Sequence, residues 1–355
     1  MKKLTLLSFV LFLLMAGYTN AQEVIEVVDE EVEGKKQMQQ AYNEGIRMLN
    51  AKQYQKAIDQ FSLAINASPD FDVAYYNRAL AYKELKQTDK AMLDLKKVIS
   101  LSPTSNNAHF VMAEIYFEKA DYENAKSAYV ADLKLNADRA ISHYKLGEIN
   151  FFNKKYEAAL ADFTKALSIK KDFYEAYNDR GSCYRMLQKY DEAIADYKNA
   201  LLFGGKSAFV ENNMGSAYRL KNLPKEAIKH YSLAIASDPA YVLAYNNRGR
   251  THLDMGNLSL AKTDLEKAIS IDSKYAAAYN NLGNVLYKME QYDLAVQNYN
   301  TALKLNPNLT SVYLNRGIAK EMQRDTFGAC SDWEKAGEYG FSSAKTYYES
   351  TCHTK

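Results

Sequence analysis

Residues 245–265 read YNNRGRTHLDMGNLSLAKTDL, and the spacing inside this stretch decides the fold. A small residue, Gly249, is followed twelve positions later by Ala261, and four positions after that by the large apolar Leu265. The same pattern returns every 34 residues, nine times in all, without an insertion or a deletion. A fixed period of this length is the signature of a repeat protein, in which each unit packs on its neighbours.

The recurring residues place a small side chain opposite a large one in every unit. The alanines are Ala57, Ala91, Ala125, Ala159, Ala193, Ala227, Ala261, Ala295 and Ala329. Gly or Ala stands twelve residues before each of them, at positions 45, 79, 113, 147, 181, 215, 249, 283 and 317. The large residues that follow are Phe61, Leu95, Tyr129, Phe163, Tyr197, Tyr231, Leu265, Tyr299 and Trp333. This combination predicts two closely packed helices in each unit.

The prolines mark where these helices end and begin. Four of the five share one phase of the repeat, where a missing N–H ends a helix: Pro69, Pro103, Pro239 and Pro307. The fifth, Pro224, fits the first turn of a second helix. The chain is therefore expected to alternate two helices and a turn throughout.

This pattern resembles the tetratricopeptide repeat, a 34-residue helix-turn-helix unit. The resemblance covers residues 38–343 and implies an all-α fold, a right-handed α-solenoid of nine such units with a C-terminal capping helix. The implied units are 38–71, 72–105, 106–139, 140–173, 174–207, 208–241, 242–275, 276–309 and 310–343. Repeat three is the least regular, because Asp132 replaces a residue that is usually Ala and Ala137 replaces the proline.

The two ends of the chain read differently from the repeats. Residues 1–21 have Lys2 and Lys3 before an apolar run that is too short to span a bilayer as a helix, which predicts a cleaved signal peptide. Residues 22–37 are rich in Asp and Glu and predict a solvated acidic linker. At the other end, residues 344–355 are expected to form the capping helix and a tail.

Charge and composition argue against several classes of protein. Without Lys2 and Lys3 the basic residues number 43, equal to the acidic ones, so a nucleic-acid partner is not expected. The five histidines form no pair at metal-ligand spacing, and the glycines recur inside helices rather than in phosphate-binding loops. We therefore predict a protein without cofactor or metal that is not an enzyme and has no membrane span after signal cleavage. The sequence does not determine the oligomeric state.

The chain has three cysteines, Cys183, Cys330 and Cys352, which is too few for a disulfide scaffold. Cys183 is predicted to be a thiol in the helical core. We predict three free thiols, with a bridge between Cys330 and Cys352 as the alternative.

Arginine and aspartate vary together between repeats, which predicts ion pairs between the two helices of a unit. Positions are counted from the first residue of each repeat, so that residue 38 is position 1 of repeat one. Four repeats have an arginine at position 7, and each of these arginines has an aspartate sixteen residues later. The pairs are Arg78 with Asp94, Arg180 with Asp196, Arg248 with Asp264 and Arg316 with Asp332. Of the five repeats without this arginine, one keeps the aspartate, as Asp162. We therefore predict that these residues stabilise the fold and do not form a binding site.

Asparagines recur on the first helix of the units, at positions that face the inner groove if the resemblance holds. At position 6 they are Asn43, Asn77, Asn213, Asn247, Asn281 and Asn315, with Asp179 in repeat five, and at position 5 they are Asn178, Asn212, Asn246 and Asn280. The row is broken at Val111 and Lys145, so the working groove is predicted in repeats five to nine. A side-chain amide has both donors and an acceptor, so an exposed row can pair with a peptide backbone without reading its sequence.

The row is similar to the asparagine ladder in the tetratricopeptide domain of O-GlcNAc transferase. Such a ladder implies a non-enzymatic scaffold that binds an extended peptide or protein segment in the groove. The alternative for the asparagines is that they bond neighbouring helices. The alternative for the protein is a structural subunit of a cell-envelope or secretion assembly, held by its convex face or its ends.

The first prediction concerns export, to the periplasm in a Gram-negative bacterium and otherwise to the medium. Thr19 and Ala21 are the small residues that follow the apolar run, so a signal peptidase is expected to cut after Ala21. N-terminal sequencing of the mature protein should begin at Gln22. A protein that starts at Met1 and stays in the cytosol would contradict the assignment.

Overall fold

A computed structural model describes residues 32–105 and 107–352. All regular secondary structure in these two ranges is helical. The chain divides into two compact units, one ending at Ile149 and the other beginning at Asn150. The predicted signal peptide, and the linker as far as residue 31, lie outside the described residues.

Nineteen helices follow one another in these two ranges, and the first eighteen alternate between the first and the second helix of a repeat, called here A and B. The A helices are α1 (32–50), α3 (Asp72–Glu84), α5 (Ala108–Glu118), α7 (Ala140–Phe152), α9 (Tyr174–Met186), α11 (Ala208–Leu220), α13 (Val242–Asp254), α15 (Ala276–Lys288) and α17 (Ser311–Met322). The B helices are α2 (Tyr54–Ala67), α4 (Thr88–Leu101), α6 (Tyr122–Leu135), α8 (Tyr156–Ile169), α10 (Tyr190–Gly204), α12 (Pro224–Ser237), α14 (Leu258–Ile271), α16 (Tyr292–Leu305) and α18 (Thr326–Glu338). The last helix is α19 (Ser342–Cys352).

The contact between the small and the large residue joins the A and B helices of a repeat. A Cβ atom added to Gly283 would lie 2.5 Å from Cε1 of Tyr299, and one added to Gly249 would lie 2.9 Å from Cγ of Leu265. The recurring alanine of the B helix, such as Ala295, is fully buried beside this contact. The predicted pairing of small and large residues therefore forms the core of these hairpins.

The turn between the A and B helices has a left-handed backbone conformation that the residue types there do not predict. Position 15 has a positive φ in every repeat, and in repeat seven it is Gly256. The other eight residues there are Lys52, Lys86, Ala120, Lys154, Gln188, Asn222, Glu290 and Arg324. In repeat two the N–H of Gln87 bonds to the carbonyl of Tyr82, and that of Lys86 bonds to Lys83, which closes the end of the A helix in the manner of a Schellman cap.

The four predicted arginine–aspartate pairs are all present as bidentate contacts. In repeat seven Nε of Arg248 donates to Asp264 at 2.8 Å and Nη2 donates to the other carboxylate oxygen at 2.7 Å. A third nitrogen, Nη1, donates to Ser232 on the B helix of the preceding repeat at 2.9 Å. The pair therefore links helices within a repeat and between repeats, and its aspartate is buried.

Repeat three lacks the arginine at position 7 and uses a different ion pair. Asp132 is fully buried, accepts a hydrogen bond from Ser142 at 2.6 Å and lies 3.1 Å from Nη1 of Arg139. Burial raises the pKa of Asp132, and these two partners oppose the rise. The irregular Asp132 is thus a buried, partnered carboxylate.

Two expectations from the sequence are wrong. Residues 32–37, assigned to the linker, form the first part of α1. There Nζ of Lys36 lies 3.5 Å from Oε2 of Glu33, one helical turn away. The prediction of three free thiols fails because Cys330 and Cys352 form a disulfide, with their Cα atoms 5.9 Å apart. Packing of α19 on α18 brings the two cysteines together, since the Tyr347 ring stacks on Trp333 at 5.3 Å. Cys183 is free and buried, as expected.

No helix in the described residues is both long enough and apolar enough to cross a membrane.

The close approach of the two helices can be tested with Gly283→Ala. The new methyl group would overlap the Tyr299 ring, so we expect the free energy of unfolding to fall by about 1 to 3 kcal/mol. The matched control is Gly337→Ala in α18, where no atom lies within 4 Å of the added Cβ and a gain of about 0.5 to 1 kcal/mol is expected. Urea denaturation followed by circular dichroism measures both. Equal effects of the two substitutions would contradict the steric explanation.

Candidate functional site

The asparagine row lies on the A helices, but much of it is not exposed. Asn178, Asn212 and Asn246 are 4 to 5% exposed, and Asn281 is 9% exposed. Asn213, Asn247 and Asn315 are partly buried, and in the first unit Asn43 is exposed. The expectation of a solvent-exposed row is therefore wrong for the position-5 residues of repeats five to seven and for Asn281 at position 6 of repeat eight.

Hydrogen bonds between repeats explain this burial. The amide nitrogen at position 6 donates to the amide oxygen at position 5 of the preceding repeat, 35 residues earlier. The distances are 3.1 Å from Asn213 to Asn178, 2.9 Å from Asn247 to Asn212 and 2.9 Å from Asn281 to Asn246. In the first unit Asn77 makes the equivalent bond to the hydroxyl of Tyr42 at 3.2 Å. The row is thus a ladder that bonds neighbouring A helices.

Bonds within each repeat connect the steps of the ladder. Asn178 donates to Asp179 at 2.9 Å, and Asn246 donates to Asn247 at 3.3 Å. The second bond joins Asn281, Asn246, Asn247 and Asn212 into one chain across repeats six to eight. A buried amide network of this kind fixes the register of the helices that carry it.

The ladder changes between repeats eight and nine. Asn315 donates to Oδ1 of Asn284 at 3.1 Å instead of to Asn280, and Tyr299 donates to the same oxygen at 2.8 Å. The Oδ1 atom of Asn280 is buried and has no hydrogen-bond partner among the described residues. A buried acceptor without a donor is unfavourable, by about 1 to 3 kcal/mol, until a partner reaches it.

A cavity of about 690 Å³ lies where the ladder changes. Its lining comes mainly from positions 6, 9, 12 and 13 of the A helices of repeats seven to nine, positions that the family resemblance places in the groove. The lining residues are Leu253, Asp254, Gly256, Leu258, Asn284, Tyr287, Lys288, Tyr299, Asn315 and Ile318. The cavity therefore combines apolar walls with two amides and one charge of each sign.

The first unit has a cavity of its own, of about 510 Å³. It is lined by groove positions of repeats two and three, including Leu80, Phe110 and Val111. Arg139 covers the Phe110 ring at 4.8 Å and donates to Asn107 at 2.7 Å. This cavity lies where the asparagine row is interrupted, a place that the sequence did not single out.

Two other places with potentially reactive groups, the pair Glu211 and His230 and the thiol of Cys183, have structural roles in the helix packing. Glu211 occupies a slot that is aromatic in most repeats, and there it lies 2.7 Å from Nδ1 of His230, whose ring stacks on Tyr218. Burial raises the pKa of the Cys183 thiol to about 12, which keeps it protonated and unreactive. No group of His, Cys, Asp or Glu that could hold a metal ion is found in the described residues.

Comparison with protein families agrees with the hairpin geometry. The family described as Tetratricopeptide repeat matches residues 73–105, 174–203 and 276–309, and a second family of that name matches 107–139. TPR repeat matches 249–290, and SHNi-TPR matches 143–176. The chain is a tetratricopeptide repeat protein. This fold is typically a non-catalytic scaffold for protein interactions, and the families that match are repeat families.

Solved structures share the fold of this tetratricopeptide repeat protein at low sequence identity. A tetratricopeptide repeat protein from Parabacteroides merdae is 18% identical, with a TM-score of 0.59 over 70% of this chain and 99% of its own. The pilF protein of Pseudomonas aeruginosa is 20% identical, with a TM-score of 0.53 over 59% of this chain and 96% of its own. PilW, a type IV pilus biogenesis factor, is 21% identical, with a TM-score of 0.53 over 58% of this chain and 96% of its own. No curated protein sequence matches this chain.

The ladder predicts that Asn246→Ala destabilises the compact part of the chain that begins at Asn150. The substitution leaves the buried Nδ2 of Asn281 without an acceptor, which costs about 1 to 3 kcal/mol, while alanine recovers part of this through its higher helix propensity. Gln297→Ala in α16 is the control, because it removes an exposed amide from the same unit. Denaturant unfolding of both variants measures the difference. A loss for Asn246→Ala no larger than for the control would contradict a structural role.

Proposed function

We propose that this tetratricopeptide repeat protein binds an extended segment of another exported protein in the groove of repeats five to nine. The cavity in repeats seven to nine is the observation that carries the proposal. Its walls can receive an apolar side chain of the segment, and Asn284 and Asn315 lie beside it as donors and acceptors for the peptide backbone.

The unsatisfied oxygen of Asn280 supports a ligand at this place. Asn315 stands 35 residues after Asn280, in the register that pairs the other steps of the ladder. A peptide N–H bonded to Asn284 would compete with Asn315 for the Asn284 oxygen. Asn315 could then turn to Asn280, which would satisfy the buried acceptor.

Several modest contacts give a useful affinity. One buried aliphatic side chain contributes about 1.5 to 3 kcal/mol and each net hydrogen bond about 0.5 to 1.5 kcal/mol. One such side chain and three or four such bonds sum to about 3 to 9 kcal/mol before the cost of ordering the segment is subtracted, so the dissociation constant lies between micromolar and millimolar. We therefore expect a reversible scaffold.

The disulfide supports the export of the chain. The bridge between Cys330 and Cys352 holds α19 against α18, and disulfides of this structural kind persist in oxidising compartments rather than in the cytosol. The predicted signal peptide points the same way. The partner is accordingly proposed among periplasmic or secreted proteins.

A second candidate is the structural subunit of an envelope assembly, held by its B helices. Large apolar side chains are exposed there in three successive repeats, with Leu260 55%, Leu294 45% and Phe327 89% exposed. Exposed apolar residues in series are typical of surfaces that another protein covers.

Site-specific photocrosslinking in living cells separates the two candidates. A benzophenone amino acid placed at Lys288 samples the cavity, and one placed at Leu260 samples the B-helix surface. The proposed function predicts a protein crosslinked from Lys288 and not from Leu260, and mass spectrometry identifies it. Substituting Ile318, in the cavity wall, by Lys should then weaken crosslinking at Lys288 at least tenfold.

The control for the cavity substitution is Leu294→Lys, which changes an exposed residue of the same unit outside the cavity. It should leave the Lys288 crosslink unchanged. A partner captured from Leu260 alone, in fixed ratio to the chain, would replace the groove proposal by the assembly subunit.

A further inference from the structure

Three arginines occupy groove positions of repeats five to seven. Arg185 and Arg219 both occupy position 12, near the end of their A helices, and Arg250 occupies position 9 of the next repeat. Arg250 is exposed, and it lies one helical turn before Leu253, which lines the cavity of repeats seven to nine. The arginines therefore extend the groove surface from the cavity toward repeat five.

A tyrosine–serine hydrogen bond recurs one helical turn before Arg185 and one turn before Arg219. Tyr197 forms a hydrogen bond with Ser182 at 3.2 Å, and Tyr231 donates to Ser216 at 3.3 Å. Burial raises the pKa of the Tyr231 hydroxyl, and Ser216, Arg219 and Arg185 oppose that rise. Arg185 and Arg219 stand at the same position of A helices α9 and α11, which contact one another, so the two side chains follow one another along the groove.

The hydrogen-bonding capacity of these arginines is not used up within the protein. The Nε atom of Arg185 is buried and has no hydrogen-bond partner among the described residues. Nη1 of Arg219 lies 3.8 Å from Oδ2 of Asp254, a distance too long for a hydrogen bond, and the Asp254 side chain is half exposed. By contrast, Arg180 and Arg248, the arginines at position 7, are saturated by bidentate aspartates.

Stabilisation of the A helices does not explain the whole arrangement. A cation in the last turn is favourable beside the negative end of a helix, and Arg185 and Arg219 both stand in that turn. An exposed lysine would provide the same effect without burying a guanidinium nitrogen.

We propose that Arg185, Arg219 and Arg250 form a carboxylate-binding site, so that the segment held in this groove is acidic. This inference rests on the proposed function and specifies its ligand. A guanidinium binds a carboxylate in bidentate geometry, and an Asp or Glu side chain of the bound segment reaches Arg185 and Arg219 while its backbone passes the ladder. Nucleic acid is disfavoured, since Asp179 and Asp254 would repel a continuous row of phosphates.

Fluorescence anisotropy with defined peptides tests this site. The probe is a labelled twelve-residue peptide of alternating Ser and Glu, acetylated and amidated at its ends, and the reference is the same peptide with Gln in place of Glu. We expect the Glu peptide to bind at least tenfold more tightly, and the preference to shrink as salt is added. Arg185→Gln combined with Arg219→Gln should remove the preference.

The control variant combines Lys198→Gln with Lys229→Gln, which removes two exposed positive charges from the B helices of the same repeats. It should bind the Glu peptide like the unmodified chain. If the double arginine variant unfolds, Arg250→Gln decides the question, because this exposed residue can be changed without disturbing the core. This substitution should weaken binding of the Glu peptide by three- to tenfold and leave binding of the Gln peptide unchanged.

The possible failures are distinguishable. Equal binding of the two peptides, or an unchanged preference in the Arg250 variant, overturns the carboxylate site but leaves the groove intact. A preference for a free C-terminal carboxylate on the Gln peptide, or equal binding of a single-stranded oligonucleotide, also overturns it. A Lys288 photocrosslinker that captures no protein in cells argues against the proposed function itself.

Discussion

The fold depends on one contact, between a small residue on the A helix and a large ring or side chain on the B helix. Where the small residue is glycine, the partner side chain fills the space that its Cβ would need, as Tyr299 does at Gly283. This approach brings the aspartate of the B helix within reach of the position-7 arginine. The bidentate pair of Arg248 and Asp264, and its third bond to Ser232, follow from that geometry. A wider hairpin would lose the packing and the ion pair together.

The asparagine ladder performs between repeats the role that the small–large contact performs within them. Each step joins a position-6 amide to a position-5 amide of the preceding unit, and the buried chain from Asn281 to Asn212 holds three repeats in register. Amides that bond to one another in this way are not available to a ligand. The proposed binding site therefore lies where the ladder changes, at Asn280, Asn284 and Asn315.

The proposed site divides its work among groups of different chemistry. Apolar walls around Tyr287 and Ile318 provide affinity, the amides of Asn284 and Asn315 orient a backbone, and the arginines provide charge selectivity. The disulfide at the end of the second unit contributes in another way, since it covers Trp333 with α19 and closes the apolar end of the last hairpin. Helical repeats need such a cap because their terminal unit has no neighbour to bury its apolar face.

The sequence by itself determined how the two helices of one repeat pack together. The helix pairs, the small–large contact and the four arginine–aspartate pairs have a fixed spacing along the chain, so nine copies of the pattern reveal them. Tertiary structure alone decided what happens between repeats and at the last helix: the burial of the asparagines, the bridge between Cys330 and Cys352 and the cavity at repeats seven to nine. It also decided the positive φ at position 15, where Lys, Ala or Glu carries no turn signal. The reason is that contacts between neighbouring units depend on how the hairpins stack, and packing of many side chains sets that stacking rather than any local motif.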